Sequence, residues 1–268
     1  MVFDNKHGRA GEAPPHDEPR SIKVALVQFD SVPEQTTRNL DEMERLVRAT
    51  VDQGARWVLF HEGCLTDYTP RLDELAETIP DGTSCQRMQQ LARKLDCYIS
   101  FGMSERDGEK FYISQVFVGP QGYLYWYRKS WLWKCDDQGY RNEWARYDTG
   151  TGPEQFQIDG VAATCFICAD GDAPRCIERA RMAEPQVVFF PNNRSALPDF
   201  PVFGAYAAKI GAPLLVTNRV GKSWDYECEG GCVVFDANGK VTAKANRAGR
   251  EEVIYHNLMI PPAARSNR

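Results

Sequence analysis

The sequence predicts a layered α/β protein with mixed sheets. In the first half of the chain, strand patterns alternate with helix patterns, as in parallel strands joined by helices. Hairpin patterns follow in the middle and near the end, and these predict antiparallel strands as well. The 268 residues, 43% of them hydrophobic, are enough for one substantial core, and no repeat or interior linker divides them.

The first half of the chain contains three strands and two helices. Residues 22–29 form a short apolar run, which is typical of a buried strand. In residues 35–55 the apolar positions recur every three or four residues, which predicts an amphipathic helix. The same patterns predict a strand at 57–60, a helix at 84–95 and a strand at 97–103.

The second half begins with a predicted hairpin. Residues 112–118 and 123–127 flank a Gly-Pro-Gln-Gly sequence, and proline and glycine are the residues that tight turns favour. Residues 161–168 then form an apolar run that predicts another buried strand. The remaining predicted elements are helices at 174–182 and 200–210 and strands at 187–190, 214–217, 232–235 and 253–258.

The two ends of the chain differ in composition from the rest. Residues 1–20 are rich in proline, glycine and charge, which predicts a disordered leader. We expect one domain over residues 21–260 and a short tail at 261–268. The leader has no signal-peptide core, and no run approaches the roughly 18 apolar residues of a membrane span. Nine cysteines in a chain of this length favour reduced thiols, so we predict a cytoplasmic, soluble protein.

The formal net charge of −5 bears on the class of partner. Nucleic-acid binding needs a basic surface, so this charge argues against it. No glycine-rich phosphate loop follows a predicted strand, which leaves nucleotide binding without support. We therefore expect a small-molecule ligand.

Three polar residues stand where predicted strands end: Glu62, Lys129 and Cys168. Each alone has an ordinary structural explanation, since strand-end carboxylates and lysines are usually solvated and a cysteine in an apolar strand is usually inert. Together they supply a nucleophile, a cation that stabilises negative charge, and a carboxylate that moves the proton.

These residues lie in three segments that resemble the nitrilase superfamily of carbon–nitrogen hydrolases. The first segment is Phe60-His61-Glu62-Gly63, the second is Tyr127-Arg128-Lys129, and the third is Ile167-Cys168-Ala169-Asp170, continuing to Pro174. Glu143, followed by Gly150, matches a second active-site carboxylate of many members. The resemblance extends over nearly the whole chain after the leader.

The resemblance implies a role for each residue. Cys168 would be the nucleophile, Glu62 the general base, and Lys129 with the backbone N–H of Ala169 the groups that stabilise the oxyanion. Glu143 would orient Lys129 or the substrate nitrogen. The family also implies a four-layer α-β-β-α sandwich, no cofactor or metal, and a homodimer or higher oligomer formed through helices near the nucleophile. The segment 175–182, with Ile177 and Met182, is a candidate for part of that surface.

The substrate implied is a small amide, ureido or carbamoyl compound. True nitrilases usually have Trp-Glu after the nucleophile, where this chain has Ala169-Asp170, and this difference favours amides over nitriles. Arg194 is a candidate for binding a substrate carboxylate, although a simple turn at 192–194 is an equal alternative. The predicted substrate contacts are Ala169, Tyr68, Trp131, Asn192, Asn193 and Arg194.

The sequence gives little support to a redox or zinc site, whereas other activities of the same thiol remain open. Cys165 and Cys168 form a CxxC sequence, but it lies in a predicted strand, whereas a redox CxxC normally begins a helix. No second pair of ligands at suitable spacing supports zinc. An acyltransferase, a true nitrilase and a non-catalytic binding member are the other candidates, since a thioester on Cys168 can pass to an amine as well as to water.

Overall fold

A computed structural model describes residues 19–135 and 142–261. Residues 1–18 of the predicted leader and residues 262–268 of the predicted tail lie outside this part. The helices are α1 (Thr36–Asp52), α2 (Leu72–Leu75), α3 (Thr83–Leu95), α4 (Pro174–Met182) and α5 (Phe200–Ile210). The strands are β1 (Arg20–Gln28), β2 (Trp57–Leu59), β3 (Tyr98–Asp107), β4 (Lys110–Gly119), β5 (Gly122–Arg128), β6 (Phe156–Ile158), β7 (Val161–Cys165), β8 (Val187–Pro191), β9 (Leu214–Thr217), β10 (Val220–Ser223), β11 (Tyr226–Glu229), β12 (Val233–Phe235), β13 (Val241–Lys244) and β14 (Glu252–Ile260).

The strands form two six-stranded mixed sheets and a small hairpin, β10-β11. The first sheet has the order β14-β1-β2-β3-β4-β5, and β1, β2 and β3 are parallel. The second has the order β13-β12-β9-β8-β7-β6, and β7, β8 and β9 are parallel. Each sheet therefore has a parallel centre with antiparallel strands outside it, as the mixed pattern predicts.

The two sheets pack face to face, with helices on their outer faces. Aromatic rings fill the space between the sheets: Phe117 of β4 lies 5.0 Å from Phe189 of β8, and Trp57 of β2 lies 5.8 Å from the same ring. The next residue, Phe190, points outward to Phe203 of α5 at 4.9 Å. Because the central strands are covered on both faces, β2 and β8 are continuous apolar runs. The fold is the four-layer α-β-β-α sandwich that we expected.

The first sheet is covered by α1 and α3. Alternate residues of β1 separate the two sides of this sheet: Val24 and Leu26 belong to the core between the sheets, and Ala25 packs with the helices. Helix α1 contributes Leu40 and Met43 to the outer layer. Among the described residues, no helix has the length and apolar composition needed to cross a bilayer.

Sequence patterns identified the long elements and missed five of the short ones. The predicted hairpin is confirmed, with Gly119 paired to Gly122. The strand predicted at 161–168 is too long, because β7 ends at Cys165 and a 3-10 helix begins at Cys168. Strands β6, β10, β11 and β13 and the single turn α2 were not predicted. They have three or four residues each, and exposed positions interrupt their apolar residues, whereas the equally short β2, β9 and β12 are fully buried and were predicted as apolar runs.

Candidate active site

The ends of β2, β5 and β7 bring three polar residues into one region. Glu62 follows β2, and the carbonyl of the preceding Phe60 accepts a hydrogen bond from Thr217 Oγ1 at 3.1 Å, which joins the two sheets. Lys129 follows β5, and its backbone N–H donates to Ile113 O at 2.8 Å. Cys168 is the first residue of the 3-10 helix after β7. These hydrogen bonds fix the backbone beside Glu62 and Lys129.

Lys129 lies between two carboxylates. Its Nζ is 2.8 Å from Glu62 Oε1 and 2.8 Å from Glu143 Oε1, and all three side chains are buried. Burial acts to lower the pKa of Lys129, but the charges of Glu143 and Glu62 outweigh it and raise that pKa well above its usual value. Lys129 therefore remains a cation. An ammonium group has three donors, so one remains for a further acceptor.

The two carboxylates are not equivalent. Glu143 Oε2 accepts a hydrogen bond from the backbone N–H of Trp133 at 2.7 Å, so both of its oxygens have partners. Burial raises the pKa of Glu143, and the charge of Lys129 opposes this only in part. Glu62 Oε2 is buried and has no hydrogen-bond partner among the described residues. Glu62 is thus the carboxylate with an oxygen available to take up a proton.

Cys168 has a left-handed backbone conformation, with φ of 44°, and its side chain is 8% exposed. This conformation is uncommon for a residue other than glycine and often marks a functional turn. Burial, reinforced by the charge of Glu62, raises the pKa of the thiol to about 11, against the opposing charges of Lys129 and Arg194. The thiol is therefore protonated at neutral pH and needs a base.

Asp170, which sequence reasoning did not single out, connects the segments that contain Lys129 and Cys168. Its Oδ1 accepts hydrogen bonds from the backbone N–H groups of Ser130 at 3.0 Å and Trp131 at 2.7 Å. Its Oδ2 accepts from Tyr127 OH and from the backbone N–H of Ile167, both at 2.8 Å. This buried carboxylate thus holds the two segments together. Its position two residues after Cys168 is the sequence feature that could have identified Asp170.

A cavity of about 360 Å³ adjoins this cluster. Glu143 and Cys168 line it, together with four of the residues expected to contact substrate: Tyr68, Ala169, Asn193 and Arg194. The other lining residues are Trp133, Asp172, Ser195, Ala196 and Tyr226. Ser195, Ala196 and Tyr226 had no signal in the sequence, because they come from a loop and from β11, a strand that was not predicted.

Two of the expected substrate contacts do not line this cavity. Trp131 is 39% exposed, and the guanidinium of Arg175 lies 5.0 Å from its ring. Asn192 is buried, and its Nδ2 donates to Phe190 O at 2.8 Å. Side chains alternate in direction along an extended chain, so Asn192 and Asn193 point to opposite sides. That alternation brings Asn193 to the cavity and turns Asn192 away.

The contacts of Arg194 also differ from those expected for a residue that binds a substrate carboxylate. Its Nη2 donates to the carbonyl of Cys168 at 2.9 Å, and its Nε donates to Asn192 Oδ1 at 3.0 Å. Asp172 lies 3.6 Å from Nη2. These contacts direct the guanidinium at the backbone of Cys168 and at side chains of the protein. The geometry favours a role in holding the Cys168 turn over the binding of a substrate carboxylate.

The CxxC sequence spans the end of a strand. Cys165 is the last residue of β7 and is fully buried, and Cys168 begins the 3-10 helix. Within the two described ranges, no three His, Cys, Asp or Glu side chains are grouped so that they could hold a metal ion.

A second, larger cavity is open to the surface and lies apart from these residues. Its volume is about 850 Å³, and Asp30, Arg38 and Glu42 are among its lining residues. Charged side chains at its wall pair with each other, as Glu42 does with Arg45. Among the described residues, the cluster around Lys129 has a buried acceptor without a partner and the lining of this second cavity has none, so we place the candidate site at that cluster.

Several proteins of known activity are similar to this chain in sequence. An (R)-stereoselective amidase from Pseudomonas sp is 28% identical over 253 residues, which cover 91% of this chain and 88% of that protein. An N-carbamoylputrescine amidase from Oryza sativa subsp. japonica is 27% identical over 217 residues, 75% of this chain and 71% of the rice protein. A nitrilase from Pyrococcus abyssi is 28% identical over 176 residues; the match spans 64% of this chain and 65%, just under two thirds, of that relative.

Solved structures share the architecture. A CN-hydrolase superfamily protein from Xanthomonas campestris superposes with a TM-score of 0.79 at 19% identity, covering 89% of this chain and 91% of that one. An amidase of the nitrilase superfamily from Nesterenkonia sp. AN1 gives a TM-score of 0.79 at 20% identity, with 91% and 93% covered. The family model for carbon-nitrogen hydrolases matches residues 23–262. Because this match includes almost all of the described chain, the protein belongs to the carbon-nitrogen hydrolase family, within the nitrilase superfamily.

Proposed function

We propose that the protein is a thiol hydrolase that cleaves the carbon–nitrogen bond of a small amide or N-carbamoyl compound through a thioester on Cys168. The observation that carries this proposal is the buried arrangement around Lys129. One carboxylate, Glu143, has both oxygens engaged, whereas Glu62 keeps one oxygen without a partner among the described residues. The charge of Glu62 acts on the Cys168 thiol and raises its pKa, so a protonated nucleophile and a carboxylate that can serve as its base lie in the same region.

The first half-reaction forms the thioester. Glu62 takes the proton of the Cys168 thiol as the sulfur attacks the carbonyl carbon. The third N–H of Lys129 and the backbone N–H of Ala169 stabilise the oxyanion, and one such donor typically contributes about 3 kcal/mol. The tetrahedral intermediate then collapses, the carbon–nitrogen bond breaks, and Glu62 returns the proton to the leaving nitrogen.

The second half-reaction regenerates the enzyme. A water molecule takes the place of the departed ammonia or amine, and Glu62 removes its proton as the oxygen attacks the thioester. The carbon–sulfur bond breaks, and the thiol regains its proton. Glu143 keeps Lys129 in place during both steps, because its contact with Nζ opposes displacement of the ammonium group.

The nature of the cavity supports this substrate class. A volume of about 360 Å³ suits a small molecule. Relatives named as an amidase and an N-carbamoylputrescine amidase match most of this chain, which also favours amide and carbamoyl substrates. For the Nesterenkonia amidase, a variant is described with covalent addition at the active site cysteine, a precedent for Cys168 as nucleophile. The contacts of Arg194 weaken the case for a substrate carboxylate.

Acyl transfer is the second candidate, since any thioester can be attacked by an amine. Both functions are tested by measuring ammonia release from primary amides, N-carbamoyl amines, N-carbamoyl amino acids and nitriles. Each compound is measured with and without hydroxylamine as an acceptor. We expect release from the amide or carbamoyl class and only minor hydroxamate formation. Mainly hydroxamate would indicate a transferase, and release from nitriles alone a nitrilase. No reaction with any class by folded protein would contradict the proposal. Protein alkylated with iodoacetamide is the blank.

Replacing Glu62 by glutamine tests the general base. Glutamine can still accept from Lys129 but cannot take up a proton, so we expect kcat to fall by about 10² to 10⁴-fold. Because the pKa of the Cys168 thiol is about 11, more thiolate forms as the pH rises, and iodoacetamide alkylation should increase steadily from pH 7 to pH 10 in both proteins. Alkylation that levels off near pH 7 would show that the thiolate already exists without a base, and would contradict this mechanism.

We also propose a homodimer formed through α4, and a cytoplasmic location. Of the two apolar residues of α4 expected at the dimer surface, Met182 is 69% exposed, whereas Ile177 is buried in the core. Met182 supports the proposal and Ile177 does not contribute. Sedimentation at micromolar concentration, with Met182→Glu beside the wild type, distinguishes a dimer through this helix from a monomer.

A further inference from the structure

The peptide bond that joins Glu62 to Gly63 lies directly against Gly102 of β3. A side-chain Cβ at position 102 would be 2.3 Å from Gly63 N and 2.8 Å from the carbonyl carbon of Glu62. Glycine is the residue that permits two backbones to approach this closely. Any larger residue at position 102 must therefore displace one of the two chains.

Strand β3 is less free to move than the segment that contains Glu62. It is hydrogen-bonded to β2 on one side and, over most of its length, to β4 on the other. The segment after β2 is held by single hydrogen bonds, such as those that Phe60 O accepts from Gln115 Nε2 at 3.2 Å and from Thr217 Oγ1 at 3.1 Å. A Cβ at position 102 would therefore shift Glu62 before it shifted β3.

Gly150 has the same relation to Lys129. A Cβ at position 150 would be 2.1 Å from Arg128 O and 2.8 Å from Arg128 C, the carbonyl atoms of the peptide bond that joins Arg128 to Lys129. The backbone N–H of Gly150 donates to Lys129 O at 2.8 Å, which ties the two segments together. Arg179 holds the loop in turn, because its Nε donates to Pro153 O at 2.9 Å. A side chain at position 150 would therefore displace the backbone of Lys129.

Neither glycine is required for its backbone conformation. Gly102 and Gly150 both lack the positive φ that favours glycine, whereas neighbours in the chain such as Gly63 and Gly152 have it. An alanine could adopt the backbone conformation of either residue, so only the space taken by the opposite backbone excludes a side chain. The two glycines thus set the distance between pairs of backbone segments.

The cluster around Lys129 leaves little tolerance for a change in that distance. Lys129 Nζ is 2.8 Å from Glu62 Oε1, and both side chains are fully buried. Carbon atoms pack at about 3.5 to 4.0 Å, so relief of either clash requires a shift of about 1 Å or more. A misplacement of about 1 Å can lower the rate of an enzyme about 10²-fold.

We propose that Gly102 and Gly150 are positioning residues of the active site. The absence of a side chain at position 102 lets Glu62 lie where a base must be, and its absence at position 150 does the same for Lys129 as oxyanion donor. These roles of Glu62 and Lys129 rest on the proposed function. The two glycines do not line the cavity and act only through the backbone.

The first test compares Gly102→Ala and Gly150→Ala with Gly82→Ala. A Cβ at position 82 would also meet backbone, 2.6 Å from Thr78 O, but Gly82 precedes α3 and does not line the cavity. We expect kcat for the best amide to fall about 10²-fold in the first two variants, with KM within about three-fold of wild type. Gly82→Ala should lose similar stability, measured by the midpoint of thermal unfolding, and keep kcat within about three-fold.

Thr217→Val and Thr217→Ser test the position of Glu62 without a steric clash. Valine has the shape of threonine but no hydroxyl to donate to Phe60 O, whereas serine keeps the hydroxyl. We expect kcat to fall about 5- to 10-fold in Thr217→Val, the effect of one hydrogen bond, and to recover in Thr217→Ser. Equal kcat in both variants and wild type would overturn the inference for Glu62, even where Gly102→Ala does not fold.

Alkylation of Cys168 by iodoacetamide at pH 9, followed by mass spectrometry of its peptide, tests the same displacements without turnover. The charge of Glu62 raises the pKa of this thiol and the charge of Lys129 lowers it. Displacement of each charge weakens its effect, so alkylation should become faster in Gly102→Ala, slower in Gly150→Ala and unchanged in Gly82→Ala.

The two readouts separate the inference from the proposed function. Opposite changes in alkylation with no turnover by wild type would support the positioning of both charges and contradict hydrolysis. Turnover by wild type with kcat and alkylation unchanged in folded Gly102→Ala and Gly150→Ala would support hydrolysis and overturn the inference. An equal loss of kcat in Gly82→Ala would also overturn it, because the effect would then follow stability alone.

Discussion

Cys168→Ala is expected to abolish turnover while the protein stays folded. Alanine has no electron pair with which to attack the carbonyl, and removal of a covalent nucleophile typically lowers kcat by roughly 10⁶-fold. The side chain is small and lies at the cavity, so we expect a stability change of about 1 kcal/mol, typical of a single substitution. Initial rates of ammonia release, together with the midpoint of thermal unfolding, measure both effects.

Cys165→Ala is the matched control for this variant. Cys165 is three positions earlier in the chain, fully buried in the core at the end of β7, and does not line the cavity. Its replacement removes the same atom from the same segment, so it should lower stability by a similar amount and leave kcat within a few-fold of wild type. Turnover by Cys168→Ala within 100-fold of wild type, or an equal loss in Cys165→Ala, would exclude Cys168 as nucleophile.

Lys129→Met is expected to lower both activity and stability. Methionine has a similar length but no charge, so Glu62 and Glu143 would face each other without a cation. Breaking a buried ion pair by removing one partner costs about 3 to 5 kcal/mol. We expect kcat/KM to fall by about 10³-fold or more, since an oxyanion donor is lost along with the position of the base. Urea denaturation and ammonia release measure the two quantities.

The double variant Lys129→Met/Glu143→Gln separates the two effects. Removing one carboxylate charge relieves the repulsion, so stability should recover in large part, whereas activity should stay low because the oxyanion donor is still absent. In the single variant, protonation of a carboxylate gives the same relief, so its loss of stability should be smaller at pH 5 than at pH 8. Recovery of activity in the double variant would show that Lys129 only neutralises Glu143.

The sequence identified the long elements because burial leaves a periodic trace in each of them. Strands covered on both faces, such as β2 and β8, are unbroken apolar runs, and helices with one buried face repeat every three or four residues. Helices α4 and α5 have the predicted bounds. Cys168 was predicted to lie in a strand because residues 161–168 form an apolar run. The strand ends at Cys165, and the last three residues of the run are buried in the segment that follows and in the 3-10 helix that begins at Cys168. An apolar run therefore indicates that these residues are buried but does not determine their backbone conformation.

The segments that form the candidate site could also be predicted largely from the sequence. Glu62, Lys129 and Cys168 each interrupt an apolar pattern at the end of a strand, and Glu143 stood at a position that the family resemblance singled out. The structure brings Glu62, Glu143 and Lys129 into direct contact and puts Cys168 beside them at the cavity. Their catalytic roles remain proposals, which the variants above test.

The layered α/β class, the family resemblance and the segments that supply the site could be predicted, because local hydrophobic pattern and strand-end residues can be recognised one element at a time. Which polar atoms have hydrogen-bond partners depends instead on contacts between distant parts of the chain. Asp67 meets Arg219 across 152 positions of the chain and also accepts a hydrogen bond from Asn193, which lines the cavity. Arg194 is turned to Cys168 in the same way, across 26 positions. The first of these contacts depends on how the two sheets stack and the second on the pairing of β7 with β8, and no local pattern in the chain encodes that geometry.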